Sequence, residues 1–175
     1  MFINPEQVIK MLGVKTGSQA ADLGCGAGFY TIPLAKAVGP AGRVYAFDVR
    51  PEMLELTRSK ARESHMLNIM TMRSDLERER GTNLAENAVD FVLISNTLFQ
   101  TENKPALLKE AFRILKNDGE LALIDWDPFN RGAGPKTDEA VSKDTAGKLA
   151  EDAGFRPVKE FDAGENHYGL LYIKL

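Results

Sequence analysis

A doubly wound, mostly parallel seven-stranded α/β sheet, with helices on both faces and an antiparallel C-terminal strand, is the fold that three observations predict. Strand-like and helix-like patterns alternate along nearly all of the 175 residues, and in a parallel sheet each helical crossover is right-handed. The stretch "DLGCGAGFY", residues 22–30, places three glycines in five positions between an apolar segment and a helical one. The last two strand-like runs have no helix between them, so they form a hairpin or near-hairpin and one of them runs against the rest.

The elements follow in order. Asn4-Pro5-Glu6-Gln7 reads as a helix start, with Asn as cap and Pro in the first turn; Val8, Ile9, Met11 and Leu12 supply its apolar face and Gly13 ends it. Residues 18–23 form a first strand running into the glycine turn. Residues 30–38 are helical and close at Gly39-Pro40, and "RVYAFD", residues 43–48, is a second strand. Pro51 opens a helix to about residue 65, with Met53, Leu54, Leu56 and Thr57 spaced for one buried face. Residues 68–73 make a third strand ending at Ser74-Asp75, and the charged stretch 76–87 is a loop. "VDFVLIS", residues 89–95, is nearly all apolar, as a strand covered on both faces should be. Residues 105–116 form an amphipathic helix, and Asn117-Asp118-Gly119 turns into a fifth strand over 120–126. The stretch 127–138, rich in Gly, Pro and charge, is a loop. Ser142 caps a last helix to residue 153, stopped by Gly154, and strands over 155–161 and 167–175 finish the sheet.

Length suits one domain over residues 1–175, with residues 1–17 as a short helical cap. Apolar residues at 43% and charged residues at 27% are ordinary for a soluble globular chain. A net charge of −3 without a dense run of Lys or Arg argues against a nucleic-acid partner. Cys25 is the only cysteine, which excludes an intrachain disulfide and a multi-cysteine metal site; no metal is expected. Residues 1–17 carry Pro5, Glu6, Lys10 and Lys15 and no long apolar run, so neither a signal peptide nor a membrane span is expected there. A cytoplasmic enzyme or binding protein is the resulting expectation.

Gly24 and Gly26 fit the first two positions of a dinucleotide fingerprint, G-x-G-x-x-G, but its third position is Phe29 and the extra glycine is Gly28. A phosphate loop fails, because no Gly-Lys-Ser/Thr follows. The remaining readings are a merely tight strand-to-helix turn or a turn for a sulfonium nucleoside. Asp48 ends the second strand, where a carboxylate accepts from the vicinal hydroxyls of a ribose; the alternative is a surface-turn Asp. Asp75 ends the third strand and, with Leu76, is placed to meet an adenine; the alternative is a solvated loop, since Glu77-Arg78-Glu79-Arg80 follows.

With these residues the chain resembles a class I S-adenosylmethionine-dependent methyltransferase, of the small-molecule group that includes ubiquinone/menaquinone C-methylases. The resemblance runs from Asn4 to Tyr168 through "AADLGCGAGFYTIPLA", "GRVYAFDVRPEML", "NAVDFVLIS" and "LLKEAFRILKNDGELALIDW". It implies S-adenosylmethionine as cofactor, a small-molecule methyl acceptor as partner and a seven-stranded sheet with a reversed last strand. It also implies that Asp22, Gly24, Gly26 and Gly28 line the amino-acid and ribose portion and that Asp48 takes the ribose hydroxyls. Met53 would flank the adenine, Asp75 and Leu76 would contact its edge, and Ser95 or Asn96 would lie near the methionine portion. Two departures stand out. Many relatives carry a histidine after the fourth strand, where this chain has Asn96-Thr97-Leu98-Phe99-Gln100, and its N-terminal cap is short beside the quinone methylases. Arsenite methylation needs several cysteines and this chain has one.

Methyl transfer is an in-line displacement that asks mainly for alignment, with the acceptor held roughly 3 Å from the methyl carbon. A weakly acidic O–H or N–H acceptor also needs a general base. Ligands sit in the crevice at the carboxyl ends of the strands, so the candidates are Asn96, Gln100, Asp125 and Asp127, with His167 and Tyr168 behind them. For Asp125-Trp126-Asp127 the alternative is an exposed strand end with Trp126 packed as core. Asp127-Pro128-Phe129 echoes the acidic-Pro-aromatic motif of amino-group DNA methylases, but follows the fifth strand instead of the fourth. Phe29, Tyr30, Phe99 and Phe129 offer an apolar wall, the first two also suiting a helical core. The competing functions are a non-catalytic S-adenosylmethionine-binding module and a dinucleotide-binding oxidoreductase.

Overall fold

The computed structural model describes residues 4–128, 135 and 139–175. Its elements are α1 (Pro5–Leu12), β1 (Gln19–Leu23), α2 (Thr31–Val38), β2 (Arg43–Asp48), α3 (Pro51–Glu63), β3 (Ile69–Arg73), β4 (Val89–Ser95), a 3₁₀ turn (Leu98–Gln100), α4 (Lys104–Ile114), β5 (Leu115–Trp126), α5 (Lys143–Asp152), β6 (Arg156–Asp162) and β7 (His167–Ile173). The helix starts obey local chemistry. Asn4 accepts the amide of Glu6, Asn103 accepts that of Ala106 and Ser142 accepts that of Thr145, each satisfying a donor that the first turn leaves free.

The seven strands lie in the order β3-β2-β1-β4-β5-β7-β6. The pairs β1–β2, β2–β3, β1–β4 and β4–β5 are parallel, and β7 runs antiparallel to both β5 and β6. The expected reversed C-terminal strand is therefore β7, slotted between β5 and β6. Strand alternation divides the sheet into two faces. Leu23, Val92, Leu121 and Leu170 meet α4 and α5 through Leu107, Leu108, Ala146 and Ala150. On the other face Ala20, Val44, Leu93 and Ile124 meet α1 and α2 through Val8, Leu12, Leu34 and Val38. There Ala46 meets Leu54 of α3. The charged loop over 76–87 stays outside the sheet, as expected.

One boundary differs from expectation. Asn117-Asp118-Gly119 does not connect a helix to a strand; α4 ends at Ile114 and β5 already begins at Leu115. Leu115 is fully buried and pairs with Val89, while the pairing resumes only at Phe91–Glu120. The turn is thus a bulge inside β5, with Asp118 at φ 61°. Lys174 closes it from the end of β7, donating from Nζ to the carbonyls of Phe112 (2.8 Å) and Leu115 (2.7 Å) and to Oδ1 of Asn87 (2.9 Å).

Candidate active site

The chain leaves β1 for β2 and β3 on one side and returns to β4 on the other, so a crevice opens beyond the carboxyl ends of β1 and β4. The glycine turn forms its floor. Gly24, Gly26 and Gly28 all have positive φ, at 85°, 51° and 79°, which side chains rarely adopt. Their surroundings differ. A Cβ on Gly24 would overlap Thr97, and one on Gly28 would come within 2.9 Å of Thr57 Oγ1 and 3.3 Å of its Cα; around Gly26 nothing lies within 4 Å. Two glycines therefore admit neighbouring threonines of this chain, and only Gly26 is bare toward open space. Thr57 Oγ1 donates to the Gly26 carbonyl (2.8 Å) and Thr97 Oγ1 to those of Leu23 (3.2 Å) and Gly24 (3.3 Å).

Asp48, only 4% exposed, stands at the end of β2. Its Oδ2 accepts the Gly26 amide (2.9 Å), and its Oδ1 accepts the amide (2.9 Å) and Nε (3.3 Å) of Arg50. It borders a cleft of about 230 Å³ together with Gly24, Val49, Leu76, Thr97 and Gln100. Asp75 and Glu77 also line it. Asp75 accepts the Glu77 amide (3.1 Å) and Arg78 Nε (2.9 Å), and Glu77 Oε2 accepts the amide of Asn103 (2.6 Å). Met53 sits half-buried in the first turn of α3 and does not line the cleft, where Val49 and Arg50 stand instead. Asp22 lies beneath the turn, 1% exposed, with Thr31 Oγ1 donating to it at 2.6 Å. Burial pushes its carboxyl up to about 7, the Thr31 hydrogen bond opposes this, and the nearby charge of Asp48 adds to it.

Beyond β4, Ser95 is half-buried and Asn96 takes φ 52° with its amide on the Ile124 carbonyl (2.9 Å). Asn96 Oδ1 is buried without a hydrogen-bond partner. Gln100 is exposed at the cleft and donates from Nε2 to the Asn96 carbonyl (2.8 Å). Asp125 is neither an exposed strand end nor open to an acceptor. It is completely buried, and its oxygens accept the amides of Trp126 (2.8 Å) and Phe99 (3.2 Å). Trp126 is half-buried, not core, and its ring lies 4.1 Å from that of His167 at 35°. Asp127 is set apart, in a second concavity of about 550 Å³ shared with Ser142, Glu160, His167 and Tyr168. Phe29 is not in a helical core: it is 68% exposed, with the Lys60 ammonium 3.5 Å above its ring. Phe129 and most of the 127–138 loop lie outside the described residues. Among the described residues no group of His, Cys, Asp or Glu is arranged to hold a metal.

Residues 20–119 match the family model of the methyltransferase domain. A demethylmenaquinone methyltransferase of a Geobacillus species is 30% identical over 120 residues, covering 69% of this chain and 50% of that protein. Another, from Lactococcus lactis, is 34% identical over 122 residues, covering 68% and 46%. The chain spans about half the length of these curated relatives. The crystal structure of an S-adenosylmethionine-dependent methyltransferase from Aquifex aeolicus superposes with a TM-score of 0.91 at 33% identity, over 99% of this chain and 91% of that one.

The chain belongs to the S-adenosylmethionine-dependent methyltransferase family. The residues of the chain suit that cofactor's chemistry. Gly26 leaves open space where a Cβ would stand, Asp48 keeps carboxylate lone pairs beyond those its present donors occupy, and Asn96 Oδ1 is an acceptor in want of a donor. Sequence reasoning missed Thr97 and Thr57, which define the glycine turn from behind. Their partners in that turn lie 73 and 31 residues away, so no local spacing announces them. Val49 and Arg50 were within reach, since they directly follow Asp48.

Proposed function

We propose that the protein transfers the methyl group of S-adenosylmethionine to a small-molecule acceptor. The observation that carries this reading is the junction of Gly26 and Asp48, where a glycine with open space at its Cβ position meets a buried carboxylate beside an open cleft. In this reading Asp48 takes the ribose hydroxyls, Val49 and Leu76 flank the adenine in place of the expected Met53, and Asp75 meets its edge. The turn over Asp22, Gly24, Gly26 and Gly28 carries the amino-acid tail, toward Ser95 and Asn96. When bound, S-adenosylmethionine supplies an electrophilic methyl carbon for in-line displacement. The chain's part is to hold donor and acceptor on one axis.

The acceptor brings its own nucleophile. Among the described residues, each carboxylate lining the cleft already accepts amide or guanidinium hydrogens: Asp48 from Gly26 and Arg50, Asp75 from Glu77 and Arg78, Glu77 from Asn103. Asn96 and Gln100 do not titrate, so the reading asks for an acceptor that is already nucleophilic. A ring activated as an enolate or phenolate meets that requirement, and demethylmenaquinone, named in the relatives, is the first acceptor to test. No described helix is long and apolar enough to cross a membrane. One domain over residues 1–175 with a helical cap, a cytoplasmic setting and an acceptor that is not nucleic acid belong to the same proposal.

Calorimetric titration with S-adenosylhomocysteine and, separately, NAD tests the donor. The expected result is binding of the first and none of the second; the reverse removes the proposal in favour of an oxidoreductase. Turnover of labelled S-adenosylmethionine against an acceptor panel tests the reaction, and failure across the panel with intact cofactor binding favours a non-catalytic binding module.

A further inference from the structure

The 3₁₀ turn Leu98–Gln100 forms one wall of the cleft, through Thr97, Gln100 and Thr101. Its opening amides have no acceptor within the turn, and the residue in the capping position, Thr97, makes no side-chain capping bond. The Thr97 hydroxyl is committed elsewhere, to the carbonyls of Leu23, Gly24 and Ser95. The cap comes from another strand. Asp125 of β5 reaches under the turn and Oδ2 accepts the Phe99 amide at 3.2 Å, while Oδ1 accepts the Trp126 amide at 2.8 Å. Two residues before the turn, the amide of Asn96 is fixed to the Ile124 carbonyl of the same strand.

The geometry points to Asp125 as a positioning residue for the methyl donor, acting through the Leu98–Gln100 turn to hold Thr97 against Gly24. This rests on the proposed S-adenosylmethionine-binding reading. It moves Asp125 from the acceptor side, where it cannot reach a substrate, to the donor side, where it sets the width of the cleft. A carboxylate caps amides more strongly than its neutral form, so the hold depends on ionisation. Burial raises the carboxyl to about 6, against the backbone amides of Trp126, Phe99 and Leu98, which favour the charged form. The groups facing it are Lys104 of α4, whose charge also favours ionisation, and Tyr168 of β7, whose hydroxyl is held protonated by burial and by Asp125 itself.

The test is calorimetric affinity for S-adenosylhomocysteine across about pH 5 to pH 8 for wild type, Asp125→Asn and Lys104→Met. Asp125→Asn keeps the shape but turns an amide N–H toward one of the two donors. It should bind about tenfold more weakly than wild type at pH 8, and the two should converge near pH 5, where the wild-type carboxyl is protonated. Lys104→Met also removes the Nζ hydrogen bond to the Thr101 carbonyl (2.6 Å), so its affinity is compared at each pH with its own plateau; loss of the positive charge should move the midpoint to higher pH. A ratio between wild type and Asp125→Asn that is unity or constant with pH overturns the inference, as does an unmoved midpoint in Lys104→Met. Absence of wild-type binding at every pH would instead remove the donor reading itself.

Discussion

The amide of Gly26 donates to Oδ2 of Asp48 across 2.9 Å, joining the bare point of the glycine turn to the end of β2. Loss of that carboxylate frees the Gly26 and Arg50 amides together and removes the proposed ribose partner. Asp48→Ala should weaken S-adenosylhomocysteine binding by about tenfold or more, at roughly 1.5–3 kcal/mol for hydrogen bonds to a charged group. Unchanged affinity in a calorimetric titration would remove the ribose assignment.

The three glycines should separate by phenotype. Gly24→Ala drives a Cβ into Thr97 at φ 85°, so it should lose roughly 1–3 kcal/mol of stability to overpacking plus about 1 to the backbone. Thr97→Ala in the same chain should restore part of that loss. Gly26→Ala, with open space around it, should cost only the backbone component, about 1 kcal/mol, yet abolish cofactor binding. Denaturant unfolding and titration on the same samples distinguish the two; equal stability losses would contradict the division.

Stability should fall with pH through Asp22. Its folded carboxyl sits at about 7, well above the usual carboxylate value, because burial disfavours the charge. Between about pH 4 and pH 7 the folded protein therefore holds a proton that the unfolded chain has released. The contribution is complete below that window and is lost as pH rises through it, with a slope of at most about 1.4 kcal/mol per pH unit. Asp22→Asn should flatten this slope, gaining on wild type as pH rises. Parallel curves in urea at pH 5, 6 and 8 would assign the slope elsewhere.

Much of this was legible in the sequence. The strand limits 43–48 and 89–95 are those expected, because β-branched and aromatic residues in short apolar runs leave little choice. Asp48 was identifiable because a strand's last residue must lie at the crevice edge. Asn117-Asp118-Gly119 misled because turn chemistry does not reveal whether flanking apolar residues continue a strand; Leu115 opposite Val89 does so here. Asp125 was misassigned for a related reason. A carboxylate at a strand end is ordinarily exposed, and only the 3₁₀ turn folded over it makes it a buried cap.

Tyr168 offers a substitution expected to help. Its hydroxyl is buried without a hydrogen-bond partner, and Asp125 faces it. Removal of an unsatisfied buried donor should raise stability by about 1 kcal/mol, so Tyr168→Phe should melt at higher temperature with cofactor affinity unchanged. A lower melting point would show that the hydroxyl stabilises the fold, and loss of turnover at normal affinity would give it a role in the reaction.

The placement of β7 between β5 and β6 sets the order in which the sheet can be completed. Among the described residues β6 pairs with no strand but β7, yet β7 follows it in sequence and must dock against β5 first. Until then β6 has no ladder to join, and its edge is guarded by Arg156, Pro157 and Lys159. The strands that carry the floor of the donor cleft, β1 to β4, are joined through parallel pairings alone, whereas the wall capped by Asp125 rests on β5, where β7 docks. Folding should therefore proceed in two stages, with β1 to β4 protected early against hydrogen exchange and the β6–β7 hairpin consolidating last on β5.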